Sequence, residues 1–186
     1  MHTVSSMFDT QIQVAREALE RIAADLTMIT DRPLAIATPV VERATQSAAG
    51  RGQVHISFKL GFQRGADTRH GALIAPLPDS IALASWFLMM SDADVALQRT
   101  MPAPDASTKD ALLEVGHFVA GAFEASLRTL GFADVKVRSE GCQGVRSDRR
   151  PAFRHTEGEE LLVARTSTRL ADGAPFEMVL MMPPIG

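Results

Sequence analysis

Asp110, Glu114, His117 and Gly121 follow one another at intervals of four, three and four residues in the run Asp110-Ala-Leu-Leu-Glu114-Val-Gly-His117-Phe-Val-Ala-Gly121. On an α-helix, residues three and four apart lie one above another. The spacing therefore stacks two carboxylates and an imidazole in a single stripe. Gly121 continues the stripe without a side chain, leaving the backbone open to close approach by another molecule. A carboxylate beside an imidazole can orient a water or exchange a proton with it. The same residue types also make an ordinary solvated helix face. Glycine inside a helix costs about 1 kcal/mol against alanine. Gly116 and Gly121 therefore imply either close helix packing or access by a partner. The stripe runs on through Glu124 and Arg128, and Leu112, Val115, Val119, Phe123 and Leu130 form the opposite, core-facing strip.

Other chemistry is poorly supplied. His2, His55, His70, His117 and His155 contain no H-x-x-x-H pair, and Cys142 stands alone. Glu114 and His117 match the Glu-x-x-His spacing of di-iron bundles, but the second copy and the further carboxylates of such sites are missing. No metal site is expected. Ser57 and Ser167 fall in expected strands, outside any G-x-S-x-G elbow. Cys142 reads as a small, half-buried residue at a strand end. Arg146, Arg149, Arg150 and Arg154 surround Pro151 in a polar loop. They suit either an anion or a solvated loop balanced by Asp148 and Glu157.

The elements that must position the stripe can be read from periodicity. Phe8 to Ile29 repeats apolar residues at helical spacing, with Asp9 as N-cap and Asp31-Arg32-Pro33 as the stop. Leu34 to Val41 reads as a short strand that Pro39 confines to an edge or interrupts. Thr45 to Gly52 reads as a loop. Val54, Ile56, Phe58, Leu60 and Phe62 alternate with polar or small residues, as in a strand with one face in the core and one in solvent. A polar connection from Gln63 to His70 then leads to a second strand, Gly71 to Leu77, giving a hairpin. Asp79 or Ser80 caps a helix reaching about Met90. Ser91 to Pro104 reads as a connector. Asp105 or Ser107 caps the long helix carrying the stripe, which ends near Gly131. A strand from Ala133 to Ser139, the arginine loop, and a closing hairpin (Glu160 to Leu170, Pro175 to Met182) complete the order.

That order has no βαβ alternation and no glycine-rich phosphate loop, so a doubly wound parallel sheet is disfavoured. The expectation is an α+β domain spanning 1–186, with a mainly antiparallel sheet and helices packed on one face. The chain has 186 residues, 46% of them hydrophobic, and a net charge of −3. It is long enough for a sizeable core and has no basic footprint for nucleic acid. Nine Phe, one Trp and no Tyr leave few stacking platforms for single strands. The lone cysteine suggests a cytoplasmic, reducing setting. The first residues show no secretory leader, and the apolar run Ile81 to Met90 is too short to span a membrane. Open sheet edges make a homodimer a reasonable expectation.

Glu114-Val-Gly-His117-Phe-Val-Ala-Gly121 resembles the Glu-x-x-Asn-x-x-x-Gly helix of the CheC/CheX/FliY chemotaxis phosphatases. Asp110 matches the acidic or Ser position that often precedes that motif by four residues. Gly71-Ala-Leu-Ile-Ala-Pro-Leu-Pro-Asp-Ser-Ile-Ala-Leu-Ala is similar to the family's hairpin strand and following helix. The single motif and the order of elements look most like CheX. The resemblance implies docking on a phosphorylated CheY-like receiver, with Glu114 paired to a receiver lysine. His117 would take the place of the Asn that orients water toward the aspartyl phosphate, and Asp110 would lie at the docking periphery. Any Mg²⁺ would belong to the receiver; the chain would bring no cofactor of its own. Two departures stand out: His in place of Asn, and no proline at the family's position some two dozen residues after that Asn. The alternative on the same fold is a non-catalytic module that binds a partner or dimerises.

Overall fold

The computed structural model describes residues 2–48 and 52–186. Four helices and seven strands follow in the order α1 (His2–Thr30), β1 (Leu34–Ile36), β2 (Val40–Ala44), β3 (His55–Arg64), β4 (Asp67–Pro76), α2 (Leu77–Phe87), α3 (Asp92–Gln98), α4 (Ala106–Thr129), β5 (Val135–Val145), β6 (Leu161–Leu170) and β7 (Phe176–Met182). The strands form one sheet in the order β1-β6-β7-β4-β3-β5, with β2 also on β6, and every pairing is antiparallel. This is the expected α+β class with an antiparallel sheet. No helix among the described residues is long and apolar enough to cross a membrane.

The helices share one face of the sheet. Leu19, Ile22 and Leu26 of α1, Ile81 of α2, and Leu112, Val115, Val119 and Phe123 of α4 join Ile56, Phe58, Leu60, Phe62, Leu162 and Leu180 in one buried cluster. Phe123 meets Phe62 edge to face, centroids 5.1 Å apart. Truncating a buried Phe of this kind costs about 3–5 kcal/mol. These contacts fix the rotation of α4, and with it the direction in which the opposite stripe points.

The other sheet face is covered as well, which corrects the expectation that half of β3 meets solvent. His55, Ser57 and Gly61 are buried along with the core-facing alternates. Ala72, Ile74, Val163, Val179 and Met181 form a second small cluster, overlaid by Ala44, Ala48 and Phe153. The stretch after β5 thus lies across the sheet, and the Ser57 hydroxyl donates to the Ala152 carbonyl at 3.4 Å. Apolar residues on both parities of β4, β6 and β7 require this second cover.

Several boundaries differ from the sequence reading for local reasons. α1 is already helical at His2, so Asp9 lies inside it and is no cap. Pro39 separates β1 from β2, and both pair with β6. The polar stretch at 63–70 is mostly strand, because a two-residue turn at Gly65 (φ +61°) and Ala66 lets β3 and β4 pair out to Arg64 and Asp67. The reading of Thr45 to Gly52 as a loop lies outside the described residues at 49–51. α2 starts at Leu77, and Asp79 is not its cap but a buried carboxylate bonded to Arg99 at 2.5 Å. The supposed connector after Ser91 contains α3, capped by the Ser91 hydroxyl accepting from the Asp94 amide at 3.2 Å. β5 runs past Ser139 to Val145 through a register shift opposite Phe58–Leu60, with Gly141 at φ +90°. Cys142 therefore sits within β5, half-buried, and burial pushes its thiol pKa up.

His55 yields a pH prediction. The residue is 2% exposed, Nδ1 lies 3.3 Å from the Gln53 carbonyl, and Nε2 has no hydrogen-bond partner among the described residues. Burial holds its pKa below the ordinary histidine value of 6.5. The unfolded chain therefore takes up this proton first. The stabilising contribution is complete above about pH 6.5 and is lost as pH falls toward the folded-state value. Denaturant melts between pH 7.5 and 5 should lose up to about 1.4 kcal/mol per pH unit from this group. His55→Gln should lack that component, whatever its absolute stability.

Candidate functional site on α4

The Asp105 carboxylate starts α4 by accepting from the Thr108 amide at 2.8 Å, as the sequence suggested. That bond and the Lys109 charge hold the Asp105 pKa low. Gly131 ends the helix in a left-handed turn at φ +90°. Along its length α4 packs on α1, α2 and β5. The Ser126 hydroxyl contacts the Ala122 carbonyl at 3.0 Å and the Glu17 carbonyl at 3.3 Å.

Asp110, Glu114, His117 and Gly121 all emerge on the solvent side of this helix. Glu114 and His117 have side-chain exposures of 57% and 62%, and His117 Nδ1 lies 3.4 Å from Glu114 Oε2. When Nδ1 carries the proton it donates loosely to Glu114, and Nε2 is left as an outward acceptor. Phe118, 38% exposed, lies on the same side one turn beyond Glu114. Between Asp110 and Gly121 the helix carries two carboxylates and no lysine or arginine. This is a convex, acidic face with an apolar neighbour, and a concave complement must come from elsewhere.

The two glycines separate cleanly. A Cβ on Gly116 would sit 3.1 Å from Ser139 Oγ and 3.6 Å from Phe58 Cδ1, so that glycine serves helix–sheet packing. A Cβ on Gly121 would meet nothing within 4 Å. Nothing inside the described fold requires glycine at 121. Gly121→Ala should therefore stabilise the protein by up to about 1 kcal/mol, a rise of about 2–4 °C in Tm. Gly116→Ala should forfeit most of that gain. Thermal denaturation of both variants checks the contrast.

The rest of the stripe departs from the sequence reading. Glu124 turns away to bind the sheet, accepting from the Val137 amide at 3.0 Å, with Arg128 at 3.3 Å and Lys136 at 3.6 Å. Burial alone would raise its pKa, but that amide and the two cations outweigh burial and hold it low. Three of the loop arginines direct their guanidinium groups at neighbours, while Arg154 borders two shallow hollows of the outer sheet face. Arg146 and Arg149 both turn to Asp148, at 3.5 and 3.9 Å, and Arg150 reaches Gln46 at 3.3 Å.

One concavity went unread in the sequence. A cleft of about 660 Å³ lies where β4 passes into α2, walled mainly by apolar residues such as Pro76, Pro78, Pro175 and Phe176, with the Asp79–Arg99 pair at its side. Burial pushes the Asp79 pKa up, against the pull of Arg99. The cleft is away from the α4 stripe and holds no nucleophile–base pair.

An antiparallel sheet with its helices packed on one face is the fold of the CheC/CheX/FliY proteins. Three solved structures carry that assignment. FliY from Thermotoga maritima superposes with a TM-score of 0.73 over 98% of this chain and 92% of its own, at 13% identity. CheX from Desulfovibrio desulfuricans gives 0.57 over 90% and 97%, at 15% identity. A chain of the FliG–FliM complex from H. pylori gives 0.66 over 96% and 93%, at 8% identity. By sequence, no family model matches and no curated protein does.

Proposed function

We propose that this chain is a chemotaxis-type signalling module that docks the Asp110–Gly121 face of α4 on a phosphorylated CheY-like receiver and promotes loss of its aspartyl phosphate. The observation that carries the reading is the exposed Glu114–His117 pair, 3.4 Å apart, beside a glycine whose missing side chain faces open space. Glu114 meets a lysine of the receiver. His117 enters the receiver's active site, and its outward Nε2 accepts a hydrogen bond from the attacking water, holding it in line with the phosphoryl group. Asp110 adds attraction at the rim. The divalent cation belongs to the receiver, and this chain contributes only positioning. Neutral histidine supplies one donor and one acceptor, as an amide does, on a longer ring.

A second reading has its own support. The fold is shared with a chain of the FliG–FliM complex, and an imidazole stands where the phosphatase motif has an amide. On that reading the face binds a partner without chemistry. The decay of phosphoryl-receiver, followed with and without catalytic amounts of this protein, separates the two. Acceleration is expected. Binding with unchanged decay would leave the non-catalytic module.

A further inference from the structure

We infer that Met89 is an apolar anchor for the same partner, held out from the fold at the end of α2 by a helix cap that methionine does not favour. The inference rests on the receiver-docking reading and specifies a part of that interface beyond α4. Its observations are independent of the Glu114–His117 pair.

α2 ends in a Schellman motif. The Met90 amide donates to the Ser85 carbonyl at 3.1 Å and the Met89 amide to the Trp86 carbonyl at 2.8 Å. The residue after the cap, Met89, is left-handed at φ +59°. α4 ends in the same way, with Phe132 to Leu127 at 2.8 Å and Gly131 to Arg128 at 3.2 Å. There the left-handed position is glycine, at φ +90°. α1 ends on Asp31 at φ +52°, a short polar residue that tolerates this region. Met89 alone among these three helix ends puts a long apolar side chain where glycine belongs. That side chain gains nothing from the fold, being 91% exposed. Backbone strain that packing does not repay is a mark of a residue kept for an external contact. Methionine suits such a contact because it is unbranched and polarisable.

The position joins Met89 to the docking face. Leu88, the cap residue, is 39% exposed. Phe87, which ends α2, packs against Phe118 of α4 with ring centroids 6.0 Å apart. Phe118 stands one helical turn from Glu114. Leu88 and Met89 thus follow directly on the residue whose ring joins α2 to Phe118, on the side of α4 that carries Asp110 and Glu114. The fitting partner has an apolar depression beside a basic group, as a receiver offering a lysine to Glu114 would. A second copy of this chain fits worse, because two-fold pairing of the stripe would set like carboxylates against each other.

The test uses the whole protein and a beryllofluoride-activated CheY-like receiver from the same genome. Wild type, Met89→Gly, Met89→Leu and Glu114→Lys are melted and titrated in parallel. Met89→Gly should melt about 2–4 °C higher, since it relieves the cap, yet bind the receiver about tenfold more weakly. Met89→Leu should bind like wild type. Binding by Met89→Gly equal to wild type, while Glu114→Lys fails, overturns the anchor and leaves the docking reading standing. A lower Tm for Met89→Gly refutes the strained cap and overturns it too. A wild type that ignores the receiver but self-associates through Met89 overturns both.

Discussion

Glu114→Lys should weaken binding to a phosphorylated CheY-like receiver by at least about thirtyfold, the effect of about 2 kcal/mol or more for reversing a charge in a desolvated ion pair. The fold should barely register the change. Glu114 is 57% exposed on its side chain, with its carboxylate beside the similarly exposed His117, and such surface substitutions stay within about 0.5 kcal/mol. Calorimetric titration against the activated receiver, with a thermal melt of the same sample, measures both. A large loss of affinity at unchanged Tm assigns Glu114 to the interface. Unchanged affinity would move the interface elsewhere. Salt gives a companion check: at higher ionic strength the wild type should lose affinity and the lysine variant should lose much less.

His117→Ala should abolish the acceleration of phosphoryl-receiver decay, a loss of about 10²–10⁴-fold if the imidazole positions or deprotonates the water. Binding should survive, because Glu114 and Phe118 remain. His117→Asn replaces the ring with a shorter donor–acceptor group and should accelerate decay at least as well as wild type. The three rates distinguish the readings. Wild type and His117→Asn both active makes the imidazole a working substitute for the amide. His117→Asn active alone makes the natural protein a binder on a catalysis-ready scaffold.

The sequence disclosed α4 almost completely. Its core strip of Leu112, Val115, Val119 and Phe123 and the solvent positions Asp110, Glu114, His117 and Gly121 follow from one period of 3.6 residues, and its cap, Asp105, was one of the two candidates the residue types offered. The antiparallel class followed from element order. The second sheet cover was not read, although its signal was present in the uninterrupted apolar runs of β4, β6 and β7. Alternation in β3 pointed the other way because Ser57 and Gly61 are small enough to be buried while looking polar or neutral. Asp79 looked like a helix cap because Asp after Pro is a common start signal. Its real partner, Arg99, lies twenty residues on, beyond local reading. The meaning of Gly116 and Gly121 also needed tertiary structure, since identical residues in one helix face a packed sheet in one case and open space in the other. Met89 gave no signal at all, because a left-handed φ is invisible in a residue type that rarely adopts it.

The most direct measurement is a nuclear magnetic resonance titration of the isotopically labelled protein with beryllofluoride-activated and with unmodified receiver. Saturable binding that prefers the activated form is expected, with shifts concentrated at Asp110, Glu114, His117, Phe118 and Gly121 and reaching Leu88 and Met89. Shifts confined to the β4–α2 cleft or the outer sheet face, or no response to either form, would contradict receiver docking through α4.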